Sequence, residues 1–284
     1  MEQWRRILEK VSRHGELRND RTGVGTLALF GEQLVFDNRA EFPAVTLKKL
    51  GFDQVKAELA CFLQGYDNLE GFHKMGCTIW DGNGGSEYWK PFARSEGDLG
   101  RIYGVQWRDW KSCNGDPANS AALEYVKHTD QLKNLVDGMR KEPHGRRHMV
   151  TAWNPGELSA MCLPPCHLFF QAFINKHSQV DLAVVMRSVD LFLGLPFDVA
   201  SYALLQRLLA KELGLDSGML TFFLGDAHIY LNHREQVAEV LQRTEKELPT
   251  LALAADASLF EFHPSQALLQ GYEPHAFVKA PLNV

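Results

Sequence analysis

The chain has 284 residues, with 30 Lys and Arg against 35 Asp and Glu, so its formal net charge is −5. Hydrophobic residues make up 45% and charged residues 23%, the proportions of a globular protein with a full core, so disordered, collagen-like and coiled-coil classes are excluded. The chain lacks the excess of basic residues that a general nucleic-acid binder has, although a few local arginines can still bind a small anion.

Residue usage also bears on the cellular compartment. No stretch reaches the roughly 18 uninterrupted apolar residues of a membrane span, and charges stand at residues 2–20, where a signal peptide has its apolar core. The 5 cysteines form an odd set, which favours free thiols over a disulfide framework. We therefore expect a cytoplasmic protein.

The apolar spacing predicts helices and strands in alternating blocks. The predicted helices cover residues 4–14, 52–64, 130–141 and 197–213, and the predicted strands cover 26–36, 148–153, 167–174, 180–186 and 219–224. Gly31 interrupts the first strand, so we expect a bulge or a sharp bend there. Apolar periodicity fades over residues 66–120, which we interpret as a long loop region. With no repeat or linker to mark a boundary, the pattern indicates one α+β domain over residues 1–284, a sheet with helices packed largely on one face.

The segment LPPCHLFF places Cys166 at the start of a predicted strand, directly after two prolines. A small buried apolar residue is one reading of this cysteine, because free cysteines are often interior. A nucleophile is the other, and it needs cations nearby to favour the thiolate. The sequence offers four arginines in turn-like or strand-end contexts, and their guanidinium groups also match the oxygens of a phosphate monoester. These are Arg21, Arg146, Arg147 and Arg187.

Nine motifs, taken in order and spacing, resemble the thymidylate synthase family from about residue 20 to the end of the chain. They are RTGVGT at residue 21, FLQG at 62, TIWD at 78, YGVQWR at 103, GRRHMVTAWNPGEL at 145, PPCH at 164, RSVDLFLGLPFDVASYALL at 187, GDAHIYLNH at 225 and GYEPH at 271. The resemblance implies a single catalytic domain with a large mixed β-sheet, and a homodimer formed through that sheet. It also implies 5,10-methylenetetrahydrofolate as co-substrate and alkylation at C5 of a pyrimidine nucleotide.

The resemblance implies a role for each matching residue. Cys166 is the thiolate that adds to C6 of the base, and Glu58 is the acid/base group, with Asp198, Tyr103 and His167 completing the catalytic set. The 5′-phosphate and sugar are bound by Arg21, Arg187, Ser188, His228 and Tyr230, together with Arg146 and Arg147 of the partner subunit. The folate is contacted or enclosed by Trp80, Asp190, Gly194, Phe197 and Val284. Singly, these residues have other readings: Trp80 and Tyr230 as core aromatics, and Glu58 as a solvent-facing helix residue.

The residues themselves support this chemistry. A pyrimidine C5 becomes nucleophilic only when a thiolate adds at C6, so covalent catalysis divides one difficult step into easier ones. Burial of Glu58 among apolar helix neighbours raises the pKa of its carboxyl and suits it to proton transfer. No metal is expected, since His144 and His148, four residues apart, have no further candidate ligands nearby.

Three positions depart from the pattern of the thymidylate-forming members. Asp198 stands where they have Asn, Met186 where they have Gln, and Asn83 where they have a second Trp. An ionised Asp only accepts hydrogen bonds, which suits the amino group of cytosine and opposes O4 of uracil. Together the three resemble the deoxycytidylate hydroxymethylases of bacteriophages, in which water traps the methylene intermediate. The predicted product is 5-hydroxymethyl-dCMP, and the folate leaves as tetrahydrofolate.

Several alternatives stay open at this point. They are a thymidylate synthase or hydroxymethylase acting on dUMP, a CMP hydroxymethylase, and a catalytically inactive nucleotide- or RNA-binding relative. An intact Cys166 disfavours the inactive relative, because binding alone needs no nucleophile.

Overall fold

The computed structural model describes residues 1–113 and 126–283. Its helices in this part of the chain are α1 Glu2–His14, α2 Phe52–Gln64, α3 Leu69–Lys74, α4 Asp81–Gly84, α5 Tyr103–Arg108, α6 Gln131–Lys141, α7 Gly194–Leu213 and α8 Arg234–Leu241. Its strands are β1 Glu16–Arg18, β2 Thr26–Asp37, β3 Trp110–Cys113, β4 Val126–Thr129, β5 Met149–Thr151, β6 His167–Ile174, β7 Gln179–Asp190, β8 Asp216–Tyr230, β9 Thr250–Leu253 and β10 Ala267–Gln270.

The main sheet has six strands in the order β1-β2-β8-β7-β6-β5. Strands β7 and β8 run parallel, and every other neighbouring pair in this sheet is antiparallel. A parallel pair needs a crossover connection, and here α7 supplies it between β7 and β8. The sheet is therefore mixed, as the resemblance implied.

The two faces of the sheet differ in burial. Alternate residues of β7, from Val180 to Met186, are buried in a core cluster that also contains most of α7 and the apolar stripes of α1 and α2. The opposite side, which we call the open face, carries apolar residues that are half-buried or exposed. The open face comprises Met149, Phe169, Phe173, Val185 and Phe223. The predicted α+β class, with helices packed on one face of a large mixed sheet, is confirmed.

Most predicted elements are present with shifted ends. Helix α7 begins at Gly194 rather than residue 197, and β8 runs over Asp216–Tyr230 rather than 219–224. At Gly31 the pairing of β2 with β8 keeps the same register on both sides, and φ is 85°, so the strand bends sharply there without a bulge. Strands β1, β9 and β10 and helix α8 were not predicted.

The prediction of a loop region over residues 66–120 is wrong for several short parts of its described length. This stretch contains α3, α4, α5 and β3, each only four to six residues long. Such short helices span too few turns to show apolar periodicity, and side-chain caps and packing against other elements hold them instead. The Asn68 side chain, for example, caps α3 by accepting from the Gly71 N–H at 2.9 Å. Residues 114–120 of the predicted loop lie outside the described residues.

Among the described residues, no helix combines the length and apolarity that crossing a membrane would require.

Candidate active site

Cys166 lies immediately before β6, held from both sides by backbone hydrogen bonds. Its N–H donates to the Tyr103 hydroxyl at 2.8 Å, and its carbonyl accepts from the Arg187 N–H at 2.9 Å. Strand β8 approaches closely at this point, since a Cβ added at Gly225 would lie only 2.7 Å from the Arg187 carbonyl oxygen. The fold thus brings the ends of three chain segments together around one thiol.

The Arg187 side chain is the cation nearest to the thiol. Its guanidinium donates to the carbonyls of Pro164 and Pro165 at 2.7 and 2.8 Å, and Nη2 lies 3.8 Å from Sγ of Cys166. The two prolines therefore offer carbonyls that aim Arg187 at the sulfur.

Burial is nevertheless the largest influence on this thiol, and it raises the pKa of Cys166 above its ordinary value. Arg187, Tyr103 and Arg21 lower that pKa, while the carboxylate of Asp198 raises it further. We expected nearby arginines to stabilise Cys166 as a thiolate, and for the single chain without ligands this expectation is wrong. The cations are present, but they do not outweigh desolvation, so Cys166 must lose a proton when it reacts.

Glu58 lies half-buried on α2, and burial raises the pKa of its carboxyl to about 7. The Trp80 indole N–H donates to Oε1 of Glu58 at 2.7 Å and lowers this pKa, as does His167, while Asp198 raises it. A carboxyl that titrates near neutral pH can both donate and accept a proton, which is the property of an acid/base group. Glu58 is therefore not a solvent-facing helix residue.

Trp80 is itself a core aromatic, 7% exposed. It packs edge-on against Phe62, Phe72, Trp89 and Tyr103. The structure thus assigns it a contact with Glu58, and its predicted part in enclosing folate stays a prediction.

Asp198 lies on the first turns of α7 and is joined to the segment that carries Cys166. Its Oδ1 lies 2.9 Å from Nε2 of His167, and its side chain is 17% exposed. The His167 ring stacks on Tyr103, with centroids 4.8 Å apart, and its Nδ1 lies 3.2 Å from the Tyr202 hydroxyl. Sequence reasoning missed Tyr202, although it stands four residues after Asp198 and so on the same helix face.

The predicted phosphate and sugar residues divide into two groups. Arg21 is exposed, and its charge lowers the pKa of Cys166. Tyr230 is half-buried, and burial raises its pKa to about 12 although Arg21 opposes this shift. His228 is buried, its Nδ1 lies 3.0 Å from Oδ1 of Asp226, and its ring lies 5.0 Å from that of Tyr230. Ser188 follows Arg187 on β7 and is half-buried.

Arg146 and Arg147 form the other group, and in the described chain they do not join the site. Both are exposed in the connection between α6 and β5, and Arg147 pairs with Glu142 at 3.2 Å. Their predicted reach into a partner's site stays a prediction.

A buried cation that sequence reasoning missed lies near Asp190, one of the predicted folate residues. Lys48 is 5% exposed, and burial lowers its pKa to about 8 although Asp190 opposes this shift. Its Nζ lies 4.3 Å from the Phe192 ring centroid. Its position after the apolar run FPAVTL is the signal that could have found it, since a lysine in such a run is seldom fully solvated.

Asp190 offers one free acceptor at this end of the site. Its Oδ1 accepts from the N–H groups of Phe192 and Leu193 at 2.9 and 3.1 Å, while its Oδ2 has no hydrogen-bond partner within the described ranges. A ligand rich in N–H donors, such as a pterin, fits that oxygen. Gly194 and Phe197 lie beside it at the start of α7, where a Cβ added at Gly194 would be 3.6 Å from the Cβ of Asp190.

The end of the chain returns to this region. Asn283 and Asn232 exchange amide hydrogen bonds at 2.9 and 3.1 Å, and His233 Nε2 lies 2.7 Å from the Pro281 carbonyl. Val284, predicted to enclose folate, lies outside the described residues.

The two remaining departures from the family pattern are both buried. Met186 is 2% exposed and pairs in register with His167, so the two side chains lie on the same face of the sheet. Asn83, 8% exposed, donates to the Tyr88 hydroxyl at 3.2 Å. Across residues 1–113 and 126–283, no three His, Cys, Asp or Glu side chains are grouped as metal ligands.

Comparison with known protein families matches residues 2–284 to the family model described as thymidylate synthase. Enzymes of this family transfer a one-carbon unit from methylenetetrahydrofolate to C5 of a pyrimidine nucleotide. Because the match covers nearly every residue, the chain belongs to the thymidylate synthase family.

Proposed function

We propose that this enzyme hydroxymethylates dCMP, giving 5-hydroxymethyl-dCMP and tetrahydrofolate. The observation that carries the proposal is the set of contacts of Asp198: one carboxylate oxygen is bound to His167, the other has no hydrogen-bond partner in the described part of the chain, and the group is near enough to Cys166 to raise the pKa of its thiol. A thymidylate-forming site needs a donor for O4 of the base, and an ionised carboxylate has none.

The geometry of Asp198 favours cytosine over uracil. With Oδ1 engaged by His167, Oδ2 is a single acceptor suited to the single N4–H that cytosine directs toward it. Uracil would direct O4 at the same oxygen, and the two acceptors would repel each other. Leaving a buried polar group unpaired costs about 1–3 kcal/mol, which is enough to set a base preference.

The proposed reaction uses the described residues in sequence. Cys166 loses its proton and adds to C6, which makes C5 an enamine carbon. Methylenetetrahydrofolate, when bound, supplies a one-carbon unit at the oxidation level of formaldehyde. C5 forms a bond to this carbon and then loses its proton as tetrahydrofolate is expelled, which leaves an exocyclic methylene group while Cys166 is still bonded to C6. Water adds to the methylene carbon, and Cys166 is then eliminated so that the ring is restored. The nucleotide gains CH2O, and no hydride leaves the folate.

Glu58 is the proposed proton carrier for these steps. Its pKa of about 7 leaves both protonation states populated at neutral pH, so it can protonate the ring during thiol addition and accept a proton later. The Trp80 N–H keeps Oε1 in one place while this exchange occurs.

We also propose that the enzyme works as a homodimer joined through the open face. Met149, Phe173 and Phe223 are 42%, 54% and 44% exposed there, and contiguous exposed apolar residues of this kind mark interaction sites. Arg146 and Arg147 directly precede β5 at the edge of this face, and Gln171 of the open side donates to the Arg146 carbonyl. A second copy bound here would place these arginines near the first copy's phosphate residues, Arg21, Arg187 and Ser188.

The test is a mixed incubation of dCMP, dUMP and CMP with methylenetetrahydrofolate, followed by mass analysis. We expect a gain of CH2O on dCMP alone. A CH2 gain on dUMP would show a thymidylate synthase, a CH2O gain on dUMP or CMP would show a different hydroxymethylase, and no gain would show an inactive relative. Absorbance of dihydrofolate growing in step with product would contradict water trapping.

The Asp198→Asn variant tests the selector directly. It should move preference from dCMP toward dUMP, because its amide can donate to O4. The exposed Asp256→Asn is the matched control and should leave the ratio of the two rates unchanged. An Asp198→Asn enzyme with the parent's ratio would show that this residue does not choose the base.

A further inference from the structure

Two hydrogen bonds in series link Tyr202, His167 and Asp198. The Tyr202 hydroxyl lies 3.2 Å from Nδ1 of His167, and Nε2 of the same ring lies 2.9 Å from Oδ1 of Asp198. Tyr202 and Asp198 both belong to α7, while His167 begins β6. Tyr202 is 2% exposed, so its hydroxyl has no access to bulk water.

The direction of both bonds follows from the chemistry of the end groups. An ionised Asp198 only accepts, so Nε2 of His167 must carry the proton. A neutral imidazole then has its lone pair on Nδ1, and the Tyr202 hydroxyl donates to it. Within the described ranges His167 is the hydroxyl's one hydrogen-bond partner, so reversing the direction would leave a buried O–H proton unpaired.

Aromatic packing restricts the ring as well. The His167 ring lies between Tyr103 and Tyr202, with centroid separations of 4.8 and 5.3 Å. Tyr202 in turn packs against Phe170 and Phe222 in the core. The ring therefore cannot turn over without displacing core side chains.

We propose that Tyr202 is a positioning residue which, through His167, decides which atom of residue 198 faces the base. This inference rests on the proposed role of Asp198 as base selector. Because His167 always donates through Nε2, residue 198 must give it an oxygen. An Asp then presents its second oxygen to the base, and an Asn must present its NH2 group. Without Tyr202 the ring could take the other tautomer, and the amide of an Asn could turn around.

The inference predicts a specific coupling between positions 202 and 198. In the parent enzyme, Tyr202→Phe should lower kcat/KM but keep the preference for dCMP, since the two carboxylate oxygens are equivalent. In the Asp198→Asn enzyme, the same substitution should reduce the dUMP preference by roughly tenfold, because the amide is no longer held in one orientation. The loss should lie in kcat/KM for dUMP, not in a uniform fall for both nucleotides.

A matched control separates this effect from lost stability. Tyr272 is a half-buried tyrosine whose hydroxyl also makes hydrogen bonds: it donates to the Val45 carbonyl at 2.7 Å and accepts from the Leu50 N–H at 2.9 Å. Tyr272→Phe removes a comparable hydroxyl and should leave the ratio of dUMP to dCMP rates unchanged in both backgrounds. If Tyr202→Phe also leaves the ratio of the Asp198→Asn enzyme unchanged, the inference is wrong.

A second measurement reads the tautomer in the parent enzyme itself, and a variant serves only to assign the signal. The 15N chemical shifts of the labelled parent enzyme, with His167 assigned by a His167→Asn difference spectrum, report which ring nitrogen carries the proton. We expect it on Nε2 alone. A proton on Nδ1 would overturn the inference even if the enzyme does hydroxymethylate dCMP. Conversely, product analysis showing a different reaction would refute the proposed function while leaving the tautomer result in place.

Discussion

The raised pKa of Glu58 makes a prediction about stability as well as about catalysis. The carboxyl titrates at about 7 in the folded enzyme against an ordinary value of 4.5. Between these values the folded state holds a proton that the unfolded state has lost, so the contribution of Glu58 to stability is greatest below pH 4.5 and is lost as the pH rises through about 7. The difference corresponds to about 3 kcal/mol at alkaline pH, from about 1.4 kcal/mol for each tenfold change in proton affinity.

Glu58→Gln isolates this contribution. The amide keeps an oxygen that can accept from the Trp80 N–H, but it does not ionise. As the pH rises from 5 to 8, the free energy of unfolding of the variant should therefore increase by about 2–3 kcal/mol relative to that of the parent. It should also lose turnover, because the proton carrier is gone.

The assay is urea unfolding of both proteins at pH 5 and pH 8 and at one protein concentration, since dimerisation contributes to apparent stability. The exposed Glu261→Gln serves as control and should change stability equally at both pH values. Parallel pH dependences for Glu58→Gln and the parent would refute the claim that burial holds this carboxyl near neutrality.

Three further predictions follow from the site and the open face. Cys166→Ala should abolish turnover while dCMP binding remains measurable by calorimetry, and any residual product would exclude the thiol as nucleophile. Trp80→Phe removes a hydrogen bond that lowers the pKa of Glu58, so that pKa, read by 13C NMR of the carboxyl, should rise; a fall would contradict the assignment. Phe173→Glu places a charge on the open face and should shift the protein toward monomer in sedimentation analysis, whereas an unaltered dimer would place the interface elsewhere.

Local pattern was informative where an element is long. Helices α1, α2 and α6 show a clear apolar stripe and end near a glycine or a polar residue, so their limits could be predicted to within a few residues. The short helices α3 to α5 could not be, because their position depends on packing against the rest of the molecule. Trp107 of α5, for example, packs edge-on against Phe62 of α2, with the ring centroids 5.7 Å apart.

The sequence by itself determined the chemical identity of the site: a thiol after two prolines, a carboxyl on an apolar helix, and an Asp at the position that we propose reads the base. These are properties of residue type and spacing, which the chain carries before it folds.

Tertiary structure alone decided how those groups behave. Desolvation raises the pKa of Cys166 despite the nearby Arg187, Lys48 is buried beside Asp190, and Tyr202 contacts His167 across two elements. Protonation and hydrogen-bond direction depend on which groups exclude water and which lie within about 3 Å, and distant segments acquire those distances only by packing together.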